Sequence, residues 1–227
     1  MLDLTQLLAK RRLTPEKLLT YGFQPHAGGY VYHSLLTDAQ FMLTITVSAA
    51  GQLSAQVRDP ADNEPYTLHL AAGANGSFIG SIREAYEAAL LDVVEKCGDR
   101  DVFKTANAQA VMAYIRKKYG DEPEYLWDKF PDNAIFRLPA NQKWYAALLQ
   151  VDSAKLGLPS KGVTDILDLK APPEEIAQLV DGVSFFPGYH MNKKHWYTIP
   201  LAGTVALPEL CRRIDVSYQL TAKQGKK

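Results

Sequence analysis

The stretch FFPGYHMNKKHWYTIPL, residues 185–201, gathers His190, His195, Lys193 and Lys194 with the aromatics Tyr189, Trp196 and Tyr197. Three kinds of chemistry use such a set. Paired imidazoles begin metal sites, lysines at an exposed turn hold phosphates, and indole or phenol rings stack on bases. A hairpin centred on Asn192 and Lys193 places His190 opposite His195, whether its loop has two residues or four. Directly opposed residues have Cβ atoms about 4.5–5.5 Å apart, so the two imidazoles are expected to be neighbours. Asn192 suits a positive φ, whereas Lys193 is not the glycine that a type I′ turn prefers.

Two histidines do not complete a zinc site, which needs three or four protein ligands. No Cys, Asp or Glu lies within the stretch, so no metal is expected there. The sequence holds no GxSxG elbow, no GxGxxG and no GxxxxGK[ST] phosphate loop, and no cofactor is expected. The carboxylates of DEPEYLWD (Asp121, Glu122, Glu124, Asp128) are the remaining acid–base candidates with His190 and His195. Their reading is a solvated loop. The plainest alternative for the histidines is a stacked or hydrogen-bonded pair on a sheet surface, and for the aromatics a place in the core.

Composition bounds the rest. The chain has 227 residues, 47% hydrophobic and 22% charged, and its formal net charge is zero. That length suits one large domain or two small ones. Zero net charge removes the simplest argument for a nucleic-acid binder. Residues 1–98 carry seven Lys and Arg against ten Asp and Glu, and residues 99–227 carry eighteen against fifteen. No apolar run is long enough to span a membrane. MLDLTQLLAKRR reads as an ordinary first helix of a cytoplasmic protein rather than a secretion signal. Cys97 and Cys211 are far apart and lack CxxC partners, so both are expected as buried free thiols.

The elements that must position these residues follow from periodicity. LTPEKLLTYG has Pro15 at the first helical position and Gly22 past its end. GGYVYHSLL, FMLTITVS, LSAQVR and YTLHL alternate as strands with one buried face, and a long helix follows over SFIGSIREAYEAALLDVVEKC. GDRD, at 98–101, is the expected boundary, giving domains 1–98 and 99–227. The second half reads as helix ANAQAVMAYIRKKY, strands AIFRLP, KWYAALLQV and TDILDLK, helix APPEEIAQLVDG, the 185–201 strand pair and helix LPELCRRIDVSYQL. The fold class is thus α+β, two two-layer units each with an antiparallel sheet covered by helices. An aligned order of strands in the two halves (YVYHSLL with AIFRLPA, FMLTITVS with KWYAALLQ, YTLHL with DILDL) leaves a divergent repeat open beside two unrelated units.

The block HMNKKHW, preceded by NAIFRLPANQKWYAALLQV and DILDLK and followed by SYQL, resembles the MmcQ/YjbR family of bacterial proteins over roughly residues 106–222. The resemblance implies an α-β(3)-α-β(2)-α fold for residues 99–227, like that of secretion chaperones and frataxin. It also implies DNA binding, through a double-wing-like structure, and carries over no catalytic residue. Asn192, Lys193, Lys194, His195 and Trp196 match the signature, as do Lys143 and Trp144. The DNA-binding expectation therefore rests on Lys143, Trp144, His190, Asn192, Lys193, Lys194, His195 and Trp196, with Arg137 nearby. So few cations would give weak, salt-sensitive binding. The competing expectation is a protein-interaction or chaperone-like adaptor that binds no nucleic acid. Neither reading is of an enzyme.

Overall fold

The computed structural model describes residues 2–36, 40–159 and 161–223. The chain divides into two compact units, Met1–Val102 and Phe103–Lys227. In the first, the elements are α1 (Leu4–Leu8), β1 (Arg11–Leu13), α2 (Pro15–Tyr21), β2 (Gln24–His26), β3 (Gly29–Leu36), β4 (Phe41–Ser48), β5 (Leu53–Arg58), α3 (Ser77–Cys97) and β6 (Gly98–Arg100). Strands β2 to β5 form an antiparallel meander in chain order. The alternation in FMLTITVS decides which face is dry: Phe41, Leu43, Ile45 and Val47 are buried. Ile82, Tyr86, Leu90 and Val93 of α3 meet that face and close the core.

Two stretches differ from their sequence reading. Gly98–Arg100, read as a boundary, is strand β6, paired antiparallel with β1. Cys97 Sγ and the Cys97 carbonyl bond back to Lys17 and Thr14, so the chain is still inside the first core there. YTLHL is not a strand. After an isolated bridge from Arg58 to Pro65, Leu68–Leu70 form a 3-10 turn. The ladder continues only as far as the Tyr66 amide, which donates to the Val57 carbonyl at 2.9 Å, and the Arg83 guanidinium captures the carbonyls of His69, Ala71 and Ala74 at 2.8, 3.0 and 3.2 Å. The alternation is inverted as a result: His69 is only 2% exposed, while Leu68 and Leu70 face solvent.

His69 lies parallel to the Tyr66 ring at 5.7 Å and meets Tyr86 edge-on at 4.7 Å. Burial, with Arg83 adding to it, holds its pKa below the ordinary histidine value. The fold therefore prefers the neutral ring, while the unfolded chain takes up a proton near pH 6.5. Stability from this site is complete above that pH and is lost as pH falls below it. Urea unfolding of the wild type followed from pH 7.5 to 5 should show this loss. His69→Phe, which keeps the aromatic contacts, should flatten that part of the profile.

The second unit contains α4 (Ala106–Tyr119), β7 (Ala134–Arg137), β8 (Trp144–Asp152), β9 (Val163–Lys170), α5 (Pro173–Leu179), β10 (Phe186–Pro187), β11 (Trp196–Pro200) and α6 (Leu207–Lys223). This is α-β(3)-α-β(2)-α. All neighbours in the sheet are antiparallel, in the order β10-β11-β9-β8-β7. The first unit extends its meander at the β3 edge with β2, whereas the second extends beside β9 with β11 and β10. YTLHL, aligned with DILDL, is not a strand, yet both sheets contain a three-strand meander in chain order, β3-β4-β5 and β7-β8-β9.

Helices α4 and α6 pack on one face of this sheet. Thr105 caps α4 through its hydroxyl, and Gly120 ends it at φ 73. Asp215 of α6 ties the two helices together, accepting from Tyr114 Oη at 2.7 Å, Tyr119 Oη at 2.5 Å and Lys118 Nζ at 2.6 Å. Arg213 bridges Glu209 and Glu175 and lies over the Phe185 ring. The opposite face holds a second, smaller cluster of Ile135, Ala147, Leu149, Val151 and Ile166. Cys97 is buried and Cys211 only half-buried, both as free thiols. Among the described residues no helix is long and apolar enough to cross a membrane.

Candidate functional site

The register brings the separate candidate segments to one end of the second sheet. Ala146 pairs with Leu169, and Trp196 pairs with Lys170. The start of β8, the end of β9 and the start of β11 are therefore side by side. At about 4.8 Å between strands, β8 and β11 lie about 10 Å apart across β9. Lys143 and Trp144, Lys170, and His195 and Trp196 occupy these three strand ends. Arg137, opposite Trp144 at the end of β7, is held by Glu124 at 2.7 Å.

The 185–201 stretch is a hairpin whose pairing is one residue off its sequence reading. Phe186 pairs with Thr198 and Pro187 with Tyr197, and the Gly188 amide donates to the Trp196 carbonyl at 3.0 Å. His190 and His195 therefore do not oppose each other. His190 instead has a positive φ of 54 and meets Tyr189 edge-on at 4.3 Å. The physical reason is Gly188. A Cβ there would lie 2.8 Å from Trp196 Cβ and from its carbonyl oxygen, so only glycine lets the strands meet in this register. Asn192 then closes the loop. Its carbonyl accepts from the His195 and Trp196 amides at 2.9 and 3.0 Å, and its Oδ1 accepts from the Lys194 amide at 3.0 Å.

This turn presents His190, Asn192, Lys193, Lys194 and His195 to solvent and turns Trp196 inward. Trp196 is 8% exposed, with Lys170 Nζ 5.0 Å above its ring, and so offers no face for stacking. Tyr197 is buried on the helix side. Trp144 is half-buried and pairs edge-to-face with Trp127, itself half-buried, at 5.6 Å. Lys143 is exposed. Desolvation, with Lys143 nearby, lowers Lys170 to about 8. A groove of about 470 Å³ runs along the loop, lined by Lys155, Tyr189, His190, Met191 and Lys193 among others. The carboxylates of DEPEYLWD are engaged locally: Asp121 accepts from Tyr145 Oη at 2.8 Å and Glu122 from Arg116 Nε at 2.5 Å. Among the described residues no group of three His, Cys, Asp or Glu is placed to hold a metal ion.

Three participants were not read from the sequence. Trp127 belongs to a segment read as a solvated loop. Lys170 and Asp168 lie in DILDLK, read only as a strand. Asp168 is fully buried on the face opposite the helices, beside Thr198. One signal was available: Asp165 and Asp168 are three apart in a strand, so they must point to opposite faces.

Comparison with known proteins matches this half of the chain. The YjbR family model matches residues 116–220. The Bacillus subtilis (strain 168) protein named "Uncharacterized protein YyaQ" is 41% identical over 111 residues, covering 49% of this chain and 94% of its own. A Pseudomonas syringae protein with a crystal structure is 41% identical, with 50% of this chain and 97% of that one covered and a TM-score of 0.48. A Deinococcus radiodurans protein is 25% identical, with coverages of 53% and 81% and a TM-score of 0.41.

The register at Gly188 gives a direct test. Gly188→Ala should destabilise the protein by about 1–3 kcal/mol, the cost of forcing atoms into a filled space, measured as a lower urea midpoint. An unchanged midpoint would mean the hairpin pairs differently.

Proposed function

The chain belongs to the YjbR family through its second unit, and we propose that it is a cytoplasmic, non-catalytic DNA-binding protein whose contacts lie at the 188–196 loop. The observation that supports this reading is that the strand ends of β8, β9 and β11, which carry Lys143 and Trp144, Lys170, and His195, lie side by side, with Lys193 and Lys194 in the turn leading into β11. Lysines on a turn braced by Asn192 supply point charges for phosphates. The half-buried Trp144–Trp127 pair supplies a ring surface for bases. A cluster this small on a chain of zero net charge gives weak binding that falls with salt.

Leu126 and Phe130, which flank Trp127 in sequence, are 43% and 62% exposed. Apolar side chains beside the same indole favour a protein partner as the second reading. Fluorescence anisotropy with labelled single- and double-stranded DNA, at low and physiological salt, separates the two. The DNA reading expects salt-dependent binding, and Lys193→Ala/Lys194→Ala should reduce the slope of log K against log salt by about two. No binding even at low salt sinks it and moves the search to protein partners.

A further inference from the structure

The 188–196 loop rests on a buried acid that no role assigned above uses. Asp168, in the central strand β9, has no exposed surface. Its Oδ1 accepts a hydrogen bond from the Thr198 hydroxyl, and its Oδ2 has no partner. Thr198 Oγ1 in turn accepts from the Tyr189 amide at 2.9 Å and lies 3.3 Å from the Pro187 carbonyl. One threonine hydroxyl thus joins the acid to both sides of Gly188, where the chain leaves β10 and enters the loop. Tyr189 and Met191 lie over the small apolar cluster that includes Ala147, the residue paired with Asp168 on β8.

We propose that Asp168 is a positioning residue for the loop, and that its protonation state decides whether the loop is closed over the sheet. The deepening concerns regulation of the site proposed above and rests on that reading only where DNA is the readout. A hydroxyl has one proton to donate. When Asp168 is charged, Thr198 must donate to Oδ1, and Oδ2 is left as an unpaired charged oxygen in an apolar cluster. That arrangement costs free energy unless water enters beneath Tyr189. When Asp168 is neutral, its own proton goes to Thr198 Oγ1. The threonine proton is then released to the Pro187 carbonyl, while Oγ1 still accepts from Tyr189. In that state each donor has an acceptor, and β10, the loop and β9 are tied together.

Among the described residues no charged group pairs with Asp168. On β9, Lys170 lies on the same face but over the Trp196 ring. On β8 the paired residue is Ala147, with Lys143 beyond the strand's start. Arg137 of β7 is held by Glu124. His190 and Lys193 lie in the loop, and Lys155 lies across the groove from them. Asp168 makes no ion pair with any of these groups. Burial pushes its carboxyl up to about 7, against the opposing pull of Thr198 and the Tyr189 amide, so the change falls near neutral pH. The raised folded value means that the neutral, closed state is complete below the midpoint and is lost as pH rises through it.

The test follows the loop itself in the full chain. NMR titration of the wild type from pH 5.5 to 8.5 should show the Asp168 carboxyl carbon and the Gly188 and Tyr189 amides moving together, with a shared midpoint near 7. Amide exchange at Tyr189, corrected for intrinsic chemistry, should rise about tenfold per pH unit on approaching the midpoint from below and level off above it, as linkage to one proton requires. Asp168→Asn mimics the neutral acid, and its loop amides should not titrate. Thr198→Ser should retain the coupled titration and Thr198→Val should lose it. A carboxyl midpoint below 5, or loop amides that ignore it, or an unchanged loop profile in Asp168→Asn, overturns the proposal. If either variant fails to fold, the wild-type titration alone decides. DNA affinity supplies a separate arm: it should weaken above the same midpoint in the wild type, with the histidine contribution read from Asp168→Asn. Loop coupling without any DNA binding leaves this inference standing and removes the DNA reading.

Discussion

Burial of β9 on both faces is the constraint on which the second unit depends. Leu167 and Leu169 face the side covered by α4 and α6, while Ile166 faces the smaller cluster with Ala147 and Leu149. A strand enclosed in this way has no solvent face for polar side chains, so each one must find a partner inside. Asp165 does so on the helix side. It accepts from Thr105 Oγ1 at 2.8 Å and from Gln150 Nε2 at 3.0 Å, and thereby anchors the start of α4. Asp168 does so only in part, through Thr198. The same strand thus contains one carboxylate that completes the fold and one that is left with an unpaired oxygen beneath the loop.

The second cluster explains why the loop matters to the fold as well as to any ligand. An antiparallel sheet can leave one face to water, but here Ile135, Leu149, Val151 and Ile166 are apolar on the face away from the helices. Among the described residues no α-helix is seen to cover them. Their cover comes from Trp127, Trp144, Leu156, Tyr189 and Met191, all contributed by strand ends and connecting segments. The residues that could meet a ligand are therefore extensions of the residues that seal the core. Tyr189 and Met191 point inward, whereas His190, Asn192 and Lys193, between and just after them, point outward.

Much of this architecture was legible. In the second unit, strong periodicity, Gly120 and the proline-led start of α5 placed six of the elements, and the HMNKKHW block located the loop. What failed did so for local reasons that periodicity does not register. YTLHL alternates like a strand, yet the ladder stops at the Tyr66 amide, Leu68–Leu70 turn, and Arg83 captures the His69 carbonyl. The His190–His195 pairing rested on symmetry about Asn192–Lys193. Gly188 shifted that pairing by one, and a shift of one residue exchanges the faces of every side chain. Trp196, a candidate contact, is instead buried beneath Lys170 through its place on β11 beside β9.

Asp168 was harder to find because an aspartate in an alternating strand ordinarily marks the wet face. The pattern Asp165-x-x-Asp168 carries the opposite information: two acids at odd spacing cannot share a face, so one at least must be enclosed if either face is. Recognising this requires knowing that β9 is central, which depends on β11 returning to pair beside it after α5. That pairing is a long-range fact, with Trp196 beside Lys170 and Thr198 beside Asp168, and no local propensity announces it. The site's chemistry thus depends on topology at its centre and on residue type at its rim, and only the rim can be read directly from the sequence.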